Sequence, residues 1–193
     1  MCTRVVYSGK NGMVATGRSM DWKTEMHSNL WVFPKGMERN GETGTNSLKW
    51  TSKYGSVVTT AFEIASTDGM NEKGLVANLL WLPEAEYPIR DQSKPGLAIT
   101  AWVQYMLDNF ATVGEAVAAI DENTFQVVSD MMPDGSRLAT LHLSISDATG
   151  DCCRLGSWSS LCIPSVVDSQ LSTDIFEYRT ITCCNICWIT SPL

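Results

Sequence analysis

The residue with the clearest chemical potential is Cys2, which directly follows Met1. Its small side chain permits removal of Met1, and this would leave a thiol and a free α-amine on one residue. The α-amine has an ordinary pKa of about 7.7 to 8.0 and the thiol about 8.5, so both can change protonation near neutral pH. Such a pair can cleave an amide: the thiolate attacks the carbonyl, the amine passes a proton to the leaving nitrogen, and water hydrolyses the thioester.

Two charged residues could assist this nucleophile. A cation at Arg18 would favour the thiolate of Cys2, and the Asp21 carboxylate could orient the new ammonium group through a charge-assisted hydrogen bond. The alternative is that Arg18 and Asp21 form an ordinary surface ion pair. Strand periodicity places Arg18 with Met20 and Ser19 with Asp21, so bringing both charges to Cys2 requires a bend near Ser19.

Other candidates for catalysis or metal binding are sparse. His27 and His142 are the only histidines of the chain, and His142 alternates with apolar residues as in a half-buried strand, which favours a structural role over a catalytic base. Asp68, Asn71 and Glu72 resemble a polar turn more than a metal-binding loop. We therefore expect neither a histidine triad nor a cofactor.

Composition limits the partners. With 193 residues, 44% of them hydrophobic and 18% charged, the chain suits one domain with a sizeable core. The net charge of −7 and the absence of a basic run argue against nucleic acid. The longest apolar stretches, Gly74–Pro83 and Leu97–Leu107, fall short of the roughly 20 residues of a membrane span. The first residues lack the apolar segment of a secretory signal, so we expect a cytoplasmic protein, or a periplasmic one if a signal was removed.

The elements that must position Cys2 are mainly strands, predicted where β-branched and aromatic residues are bounded by turns. These are a hairpin of Thr3–Tyr7 and Met13–Ser19 around Gly9–Gly12, followed by Asn29–Phe33, Gly55–Phe62, Leu75–Leu82 and Leu138–Ser146. Polar, glycine-containing segments predict a loop at Lys35–Ser47 and a connector at Asp68–Gly74. Apolar spacing predicts a helix over Leu97–Phe110, and a capping box at Thr112–Glu115 predicts a second one over Ala116–Ile120. This order favours an α+β fold of antiparallel sheet layered with helices.

Several blocks of sequence closely resemble the choloylglycine hydrolase family of linear amide C–N hydrolases, and most of all its branch of Gram-negative penicillin V acylases. The likeness runs in order from Cys2 to about Asp151. The blocks that carry it are Cys2–Tyr7, Gly17–Trp22, Asn29–Pro34, Asp68–Leu75 and Leu141–Asp147.

The resemblance implies an N-terminal-nucleophile hydrolase with an αββα sandwich, in which Cys2 is the nucleophile, Arg18 lies beside its sulfur and Asp21 holds its α-amine. By the same similarity, Trp22 and Trp81 would line the acyl pocket, although ordinary core packing is an equal alternative. In bile salt hydrolases an oxyanion-stabilising Asn occupies the position of Trp81, so backbone N–H groups of that strand are the first choice here. Asn78 is a further candidate for a polar contact to substrate.

The likeness ends near residue 151, which divides the chain into an N-terminal hydrolase part, 1–151, and an atypical cysteine-rich tail, 152–193. A later Asn and Arg of the family have no counterpart here, so we expect a fold that is incomplete at its C-terminus. Three hypotheses remain open. The first is a hydrolase acting on a small N-acyl amide such as penicillin V, an N-acyl homoserine lactone or a bile salt conjugate. For this hydrolase the resemblance implies a homo-oligomer, since relatives assemble as tetramers. The others are an inactive homologue that keeps the acyl pocket, and a zinc-binding protein built on the tail.

Overall fold

The computed structural model describes residues 2–156, together with the backbone of residues 160–161 and 184–190. Its two α-helices are α1 (Trp102–Asn109) and α2 (Val113–Asp121), and short 3-10 turns lie at Lys10–Gly12 and Ile99–Ala101. The strands are β1 (Cys2–Ser8), β2 (Val14–Met20), β3 (Leu30–Phe33), β4 (Glu38–Asn40), β5 (Lys49–Thr51), β6 (Ser56–Ala61), β7 (Ala65–Asn71), β8 (Val76–Trp81), β9 (Gly96–Ala98), β10 (Gln126–Val128), β11 (Leu141–Ser146), β12 (Cys152–Leu155), β13 (Ser160–Leu161) and β14 (Cys184–Thr190).

The predicted N-terminal hairpin is confirmed and forms a small sheet of order β1-β2-β14. Cys2 lies opposite Met20, and Arg4 opposite Arg18. Residues opposite each other, and residues two apart on a strand, share a face of the sheet, so all four side chains lie on one face. The structure has no bend at Ser19 of the kind that strand periodicity would require to bring both charges to Cys2, because β2 pairs regularly with β1 through Met20.

A larger sheet has the strand order β13-β12-β11-β8-β7-β6-β3, with antiparallel neighbours throughout. Helix α1 packs on one of its faces, against β7 and β8. Close approach is possible at Gly69, where a Cβ atom would lie 2.6 Å from Leu107 Cδ1 and 2.8 Å from the carbonyl oxygen of Val57. Glycine at this position therefore lets the helix and sheet meet.

The small sheet packs on the opposite face of the large one. Side chains of β1 and β2 reach across to β8 and β7, where Arg4 contacts Asn78 and Arg18 contacts Asp68. Helix, large sheet and small sheet thus form three successive layers. On the outer face of the small sheet Val5 and Tyr7 are 52% and 55% exposed, so no described element covers them.

The predicted connector at Asp68–Gly74 is wrong in its first half, because β7 continues to Asn71. The polar side chains of that half, Asp68 and Asn71, are buried and hydrogen-bonded instead of facing solvent. The Asn71 amide donates to the carbonyls of Leu107 and Phe110 at 2.9 and 2.7 Å. Its Oδ1 accepts from the backbone N–H groups of Lys73 and Leu75 at 3.0 and 3.1 Å. One side chain therefore closes the β7–β8 turn and holds the C-terminal end of α1.

Two other element predictions need correction. The predicted loop Lys35–Ser47 contains β4, which pairs with β5. The predicted helix Leu97–Phe110 begins only at Trp102, because Leu97 and Ala98 are extended and pair in parallel with β10. In both cases backbone pairing with a distant segment overrides the local pattern.

The predicted capping of the second helix is confirmed, with α2 beginning at Val113. Thr112 Oγ1 accepts from the backbone N–H of Glu115 at 3.2 Å, and Glu115 Oε2 accepts from the N–H of Ala111 at 2.8 Å. No helix among the described residues is long and apolar enough to cross a membrane.

The division at residue 151 stays a prediction. It falls in the turn before β12, whose residues pair with β11 in the large sheet. Cys153 and Leu155 of that strand lie in the hydrophobic core, so the packed unit extends a few residues into the predicted tail.

Replacing Asn71 by Ala is expected to lower the free energy of unfolding by about 2–4 kcal/mol, because four backbone groups lose their partner, three of them in buried hydrogen bonds. Urea unfolding followed by circular dichroism measures this. The matched control is Asn109→Ala, which removes a single bond to the Tyr105 carbonyl and should cost about 1 kcal/mol or less. Equal losses in the two variants would contradict this role of Asn71.

Candidate active site

Cys2 lies at the start of β1, partly exposed, and its thiol is free. It lines an open pocket of about 790 Å³, a volume that includes the solvent-filled mouth. Strands β7 and β8 pair from Met70–Val76 to Asp68–Asn78. The pocket lies just past the Asp68–Asn78 end of this pairing. Most of the lining is apolar and includes Met20, Trp22, Met26, Phe62, Leu79, Trp81, Ile99, Met132 and Leu141.

A cluster of buried charges lies between the two sheets, on the face that carries Cys2. Arg18 Nε is 2.8 Å from Asp68 Oδ1, and both side chains are fully buried. Arg18 also donates through Nη2 to the Leu79 carbonyl. The Asn78 amide donates to Asp68 Oδ1 at 2.8 Å and accepts from Arg4 Nε at 2.7 Å. Asn78 thus links the second guanidinium to the Arg18–Asp68 pair.

The cluster extends to the edge of β11. Arg4 Nη2 donates to Ser146 Oγ at 2.7 Å, and this hydroxyl is 2.8 Å from Thr16 Oγ1. Burial lowers the pKa of Arg4 to about 10, so its guanidinium remains protonated at neutral pH. Burial also raises the pKa of Asp68, an effect opposed first by Arg18 and then by the bond from Asn78. With two guanidiniums and one carboxylate, the cluster carries an excess of positive charge.

The two charged residues predicted to assist Cys2, Arg18 and Asp21, lie in different surroundings. Arg18 is buried and paired with Asp68, so it is not part of a surface ion pair. Asp21 lies just beyond the end of β2, exposed to solvent, in a polar recess beside the pocket. Because β2 ends at Met20, strand alternation no longer fixes the direction of Asp21, and the bend near Ser19 is unnecessary.

Trp22 and Trp81 are both placed at the pocket. Their ring centroids are 5.1 Å apart with the planes inclined at 56°. Both rings are only partly buried and line the apolar pocket as well as the polar recess. This excludes simple core packing, while contact with an acyl group stays a prediction.

The expectation that Asn78 contacts substrate is not supported. Its side chain is fully buried, and both of its polar atoms are bonded within the charge cluster. It therefore orients Asp68 and Arg4 and does not line the pocket wall.

His142 behaves as the strand residue that the sequence predicts. Burial, followed by the nearby charges of Arg154 and Arg4, lowers its pKa to about 4, so the imidazole is neutral at pH 7. Within the described part of the chain no three His, Cys, Asp or Glu residues are grouped as metal ligands. The side chains of Cys162, Cys183, Cys184 and Cys187, on which a zinc site in the tail would depend, lie outside the described residues.

Arg4 and Asp68 are the site residues that sequence reasoning missed. A usable signal existed for Arg4, since a residue two positions from Cys2 on a strand must share its face. Asp68 gave no such signal, because an Asp–Gly pair normally indicates a turn.

A family model described as linear amide C–N hydrolases, choloylglycine hydrolase family, matches residues 2–158. The chain belongs to this family. It is 50% identical over 159 residues to a penicillin V acylase of Pectobacterium atrosepticum, an alignment that covers 78% of this chain and 42% of that protein.

Solved structures agree on the fold. Penicillin V acylase from Agrobacterium tumefaciens is 56% identical, with a TM-score of 0.73, over 80% of this chain and 45% of that one. Conjugated bile acid hydrolase from Clostridium perfringens, in structures of a C2A mutant and an R18L variant, is 26% identical with a TM-score of 0.65, over 80% of this chain and 47% of that one. The fold is therefore the N-terminal-nucleophile hydrolase sandwich that the resemblance implied. The chain spans less than half the length of these relatives.

Replacing Asp68 by Asn should destabilise the fold by about 3–5 kcal/mol, because two buried guanidiniums would lose their counter-charge. Chemical unfolding at pH 7 measures the loss. Adding Arg4→Met to Asp68→Asn removes one of the unbalanced charges and should restore part of the stability. A double variant no more stable than Asp68→Asn alone would show that charge balance is not what Asp68 provides.

A second prediction concerns pH. The folded-state pKa of His142, about 4, is below the ordinary value of about 6.5, so neutral His142 stabilises the fold above pH 6.5 and this contribution is lost as pH falls towards 4. Between pH 7 and 4, the His142→Gln variant should therefore lose less unfolding free energy than the wild-type protein. The expected difference is about 1–2 kcal/mol after allowance for solvent screening. Urea unfolding at intervals between pH 7 and 4 tests this. Parallel curves for the two proteins would contradict it.

Proposed function

We propose that this chain hydrolyses a linear amide of an N-acyl substrate through Cys2, once Met1 has been removed. The single observation that carries the proposal is the position of Cys2. Its side chain lines an apolar pocket, and it lies on the same face of the small sheet as the buried, positively charged cluster. An attacking thiol needs both a cavity for the acyl group and stabilisation of the negative charge that develops on sulfur.

Arg18 is the cation proposed to act on the Cys2 sulfur. It lies diagonally across the β1–β2 ladder from Cys2, a separation that a long side chain can bridge. Its Nε and Nη2 are occupied by Asp68 and the Leu79 carbonyl. Its Nη1 has no hydrogen-bond partner among the described residues and so is the donor available for the reaction.

Asp21 is proposed to hold the α-amine of Cys2 as an ammonium group between proton transfers. This role is supported by the position of Asp21 at the end of β2, one residue past the partner of Cys2, where the chain leaves the sheet.

Backbone N–H groups near Trp81 are proposed as the oxyanion donors. This end of β8 lies past its pairing with β7 and borders the pocket. Amide donors that are fixed before reaction stabilise a tetrahedral oxyanion without reorganisation.

The apolar pocket is proposed to bind the acyl side of the substrate. Its lining of methionine, aromatic and branched aliphatic side chains matches an aryl or fatty acyl group, and Trp22 and Trp81 offer ring faces for stacking. The named relatives are a penicillin V acylase and a conjugated bile acid hydrolase. Penicillin V, N-acyl homoserine lactones and bile salt conjugates are accordingly the substrates to compare.

Two features of those relatives add support. The solved bile acid hydrolase structures include a C2A mutant and an R18L variant, residue types and numbers that coincide with Cys2 and Arg18 here.

The experiment is penicillin V hydrolysis by purified protein whose intact mass confirms loss of Met1. We expect phenoxyacetate release by this protein and none by Cys2→Ala. The matched control is Thr3→Ala, an exposed neighbour on the opposite strand face, which should keep its activity. Unchanged hydrolysis by Cys2→Ala would reject the proposal, whereas binding of phenoxyacetate without any turnover by the processed protein would favour the inactive homologue.

A further inference from the structure

Arg4 is a charged side chain of the inner cluster that the proposed chemistry does not use. It lies on β1 two residues after Cys2, so both side chains are on the face of the small sheet that meets the large one. It donates to two uncharged groups, Asn78 Oδ1 and Ser146 Oγ, both at 2.7 Å. Burying a guanidinium carries a desolvation cost, which bonds to uncharged groups offset only in part. The presence of Arg4 is therefore better explained by what it holds in place than by its contribution to stability.

Arg4 determines which way the amide of Asn78 points. A guanidinium can only donate hydrogen bonds, so the Asn78 atom that faces it must be the acceptor Oδ1. The donor Nδ2 is then directed to the other side, where it bonds to Asp68 Oδ1 at 2.8 Å. Without the donor at Arg4, a half turn of the amide would place its oxygen against the carboxylate. Arg4 thus selects the orientation of Asn78 that supports Asp68.

Asp68 is the group on which these contacts converge. Burial raises its pKa, and the charge of Arg18 opposes this most strongly. The hydrogen bonds from Asn78 and Thr67 come next, followed by the charge of Arg4. Arg4 therefore favours the ionised carboxylate in two ways, through its own charge and through the orientation of Asn78.

The protonation of Asp68 depends on few neighbours. Within the described part of the chain, the charged groups that act on it are Arg18 from β2 and Arg4 from β1. Its partners on the adjacent strands of the large sheet, Thr59 of β6 and Asn78 of β8, are uncharged. Removal of either guanidinium therefore favours the neutral acid.

The ionised carboxylate of Asp68 fixes the guanidinium of Arg18. Arg18 Nε is 2.8 Å from Asp68 Oδ1, its Nη2 donates to the Leu79 carbonyl, and both charged side chains are fully buried. These two anchors set the plane of the guanidinium and so direct Nη1, the donor proposed to act on the Cys2 sulfur. If Asp68 took up a proton, the buried charge of Arg18 would lose its compensation and its stronger anchor.

We infer that Arg4 is a positioning residue, which holds Arg18 in place for the proposed attack by Cys2. It acts through Asn78 and Asp68 and does not touch the substrate. This inference rests on the proposed function for the role of Arg18. Removal of the Arg4 charge would let Asp68 take up a proton at a higher pH, and Arg18 would lose its anchor there. Activity should then be lost at a higher pH on the acid side of the pH profile.

The pH dependence of kcat/KM for penicillin V hydrolysis by processed protein tests the inference. In Arg4→Met we expect the midpoint of the acid side to rise by about half to one pH unit, which lowers kcat/KM about three- to tenfold below that midpoint. KM should change little, because Arg4 does not line the pocket. Arg4→Lys, which keeps a positively charged donor, should restore most of the midpoint. If Arg4→Met does not fold, the neutral variant Arg4→Gln should move the midpoint in the same direction.

Two controls separate this role from a general loss of charge. Arg154→Gln removes an exposed cation opposite Ser144 on the large sheet and should leave the midpoint unchanged. Burial, then Arg154 and then Arg4, lowers the pKa of His142 to about 4, so the shift caused by Arg4→Met should also be measured in a His142→Gln background, where it should persist. Thermal unfolding at each pH confirms that the variants are folded over the range compared.

Alkylation of Cys2 by iodoacetamide provides a readout that does not require turnover. Mass spectrometry of the N-terminal peptide should show alkylation about three- to tenfold slower in Arg4→Met than in wild-type protein at about pH 6, with recovery in Arg4→Lys. If wild-type protein does not hydrolyse penicillin V but shows this pattern, the proposed hydrolysis fails and the positioning role stands. Unchanged alkylation or an unmoved midpoint in Arg4→Met, an equal shift in Arg4→Lys or Arg154→Gln, or loss of the shift in the His142→Gln background would overturn the inference.

Discussion

The architecture depends on a group of charges buried where the two sheets meet. Arg18 and Asp68 are withdrawn completely from water, and Asn78 connects them to Arg4. A buried ion pair contributes little net stability, because the cost of desolvation offsets the attraction between the charges. What the cluster provides is a specific alignment, since hydrophobic contacts alone would tolerate several positions of one sheet over the other.

That alignment governs the position of Cys2, the proposed nucleophile. The small sheet brings Cys2 and Arg18, while the large sheet brings Asp68, Asn78 and the Leu79 carbonyl that receives Arg18. The central strand β8 thereby serves the inner charge cluster through Asn78 and the pocket through Trp81, only three residues further on. The anchoring of the charge cluster and the wall of the pocket thus share one strand, which gives the close positioning that the proposed nucleophilic attack requires.

Sequence reasoning succeeded where local chemistry determined the structure. The hairpin around Gly9–Gly12 follows from turn residues between alternating strands, and the α2 cap follows from Thr112 and Glu115. The placement of Trp22 and Trp81 at the pocket was anticipated through family resemblance.

The failures share a different origin. Asp68 and Asn71 have turn-like composition, yet both lie in β7, because their polar groups find partners on distant segments. Leu97 fits a helical apolar spacing but pairs with β10. The contact of Arg137 with the Trp81 ring was equally invisible in the sequence, since only the folded chain brings the two residues together. Each case depends on a long-range contact that no local pattern encodes.

The tight turn between β1 and β2 has a consequence of its own. Asn11 and Gly12 adopt left-handed backbone conformations there, with φ of 65° and 74°, and this fixes which residue of β1 faces which residue of β2. A strand alternates its sides at every residue. Loss or gain of a single amino acid in the turn that shifted this pairing by one position would rotate the sulfur away from the guanidinium and present Thr3 in its place. Such a shift would disrupt the proposed site although each of its residues was still present, so a change in the length of this turn would be as damaging as loss of Cys2.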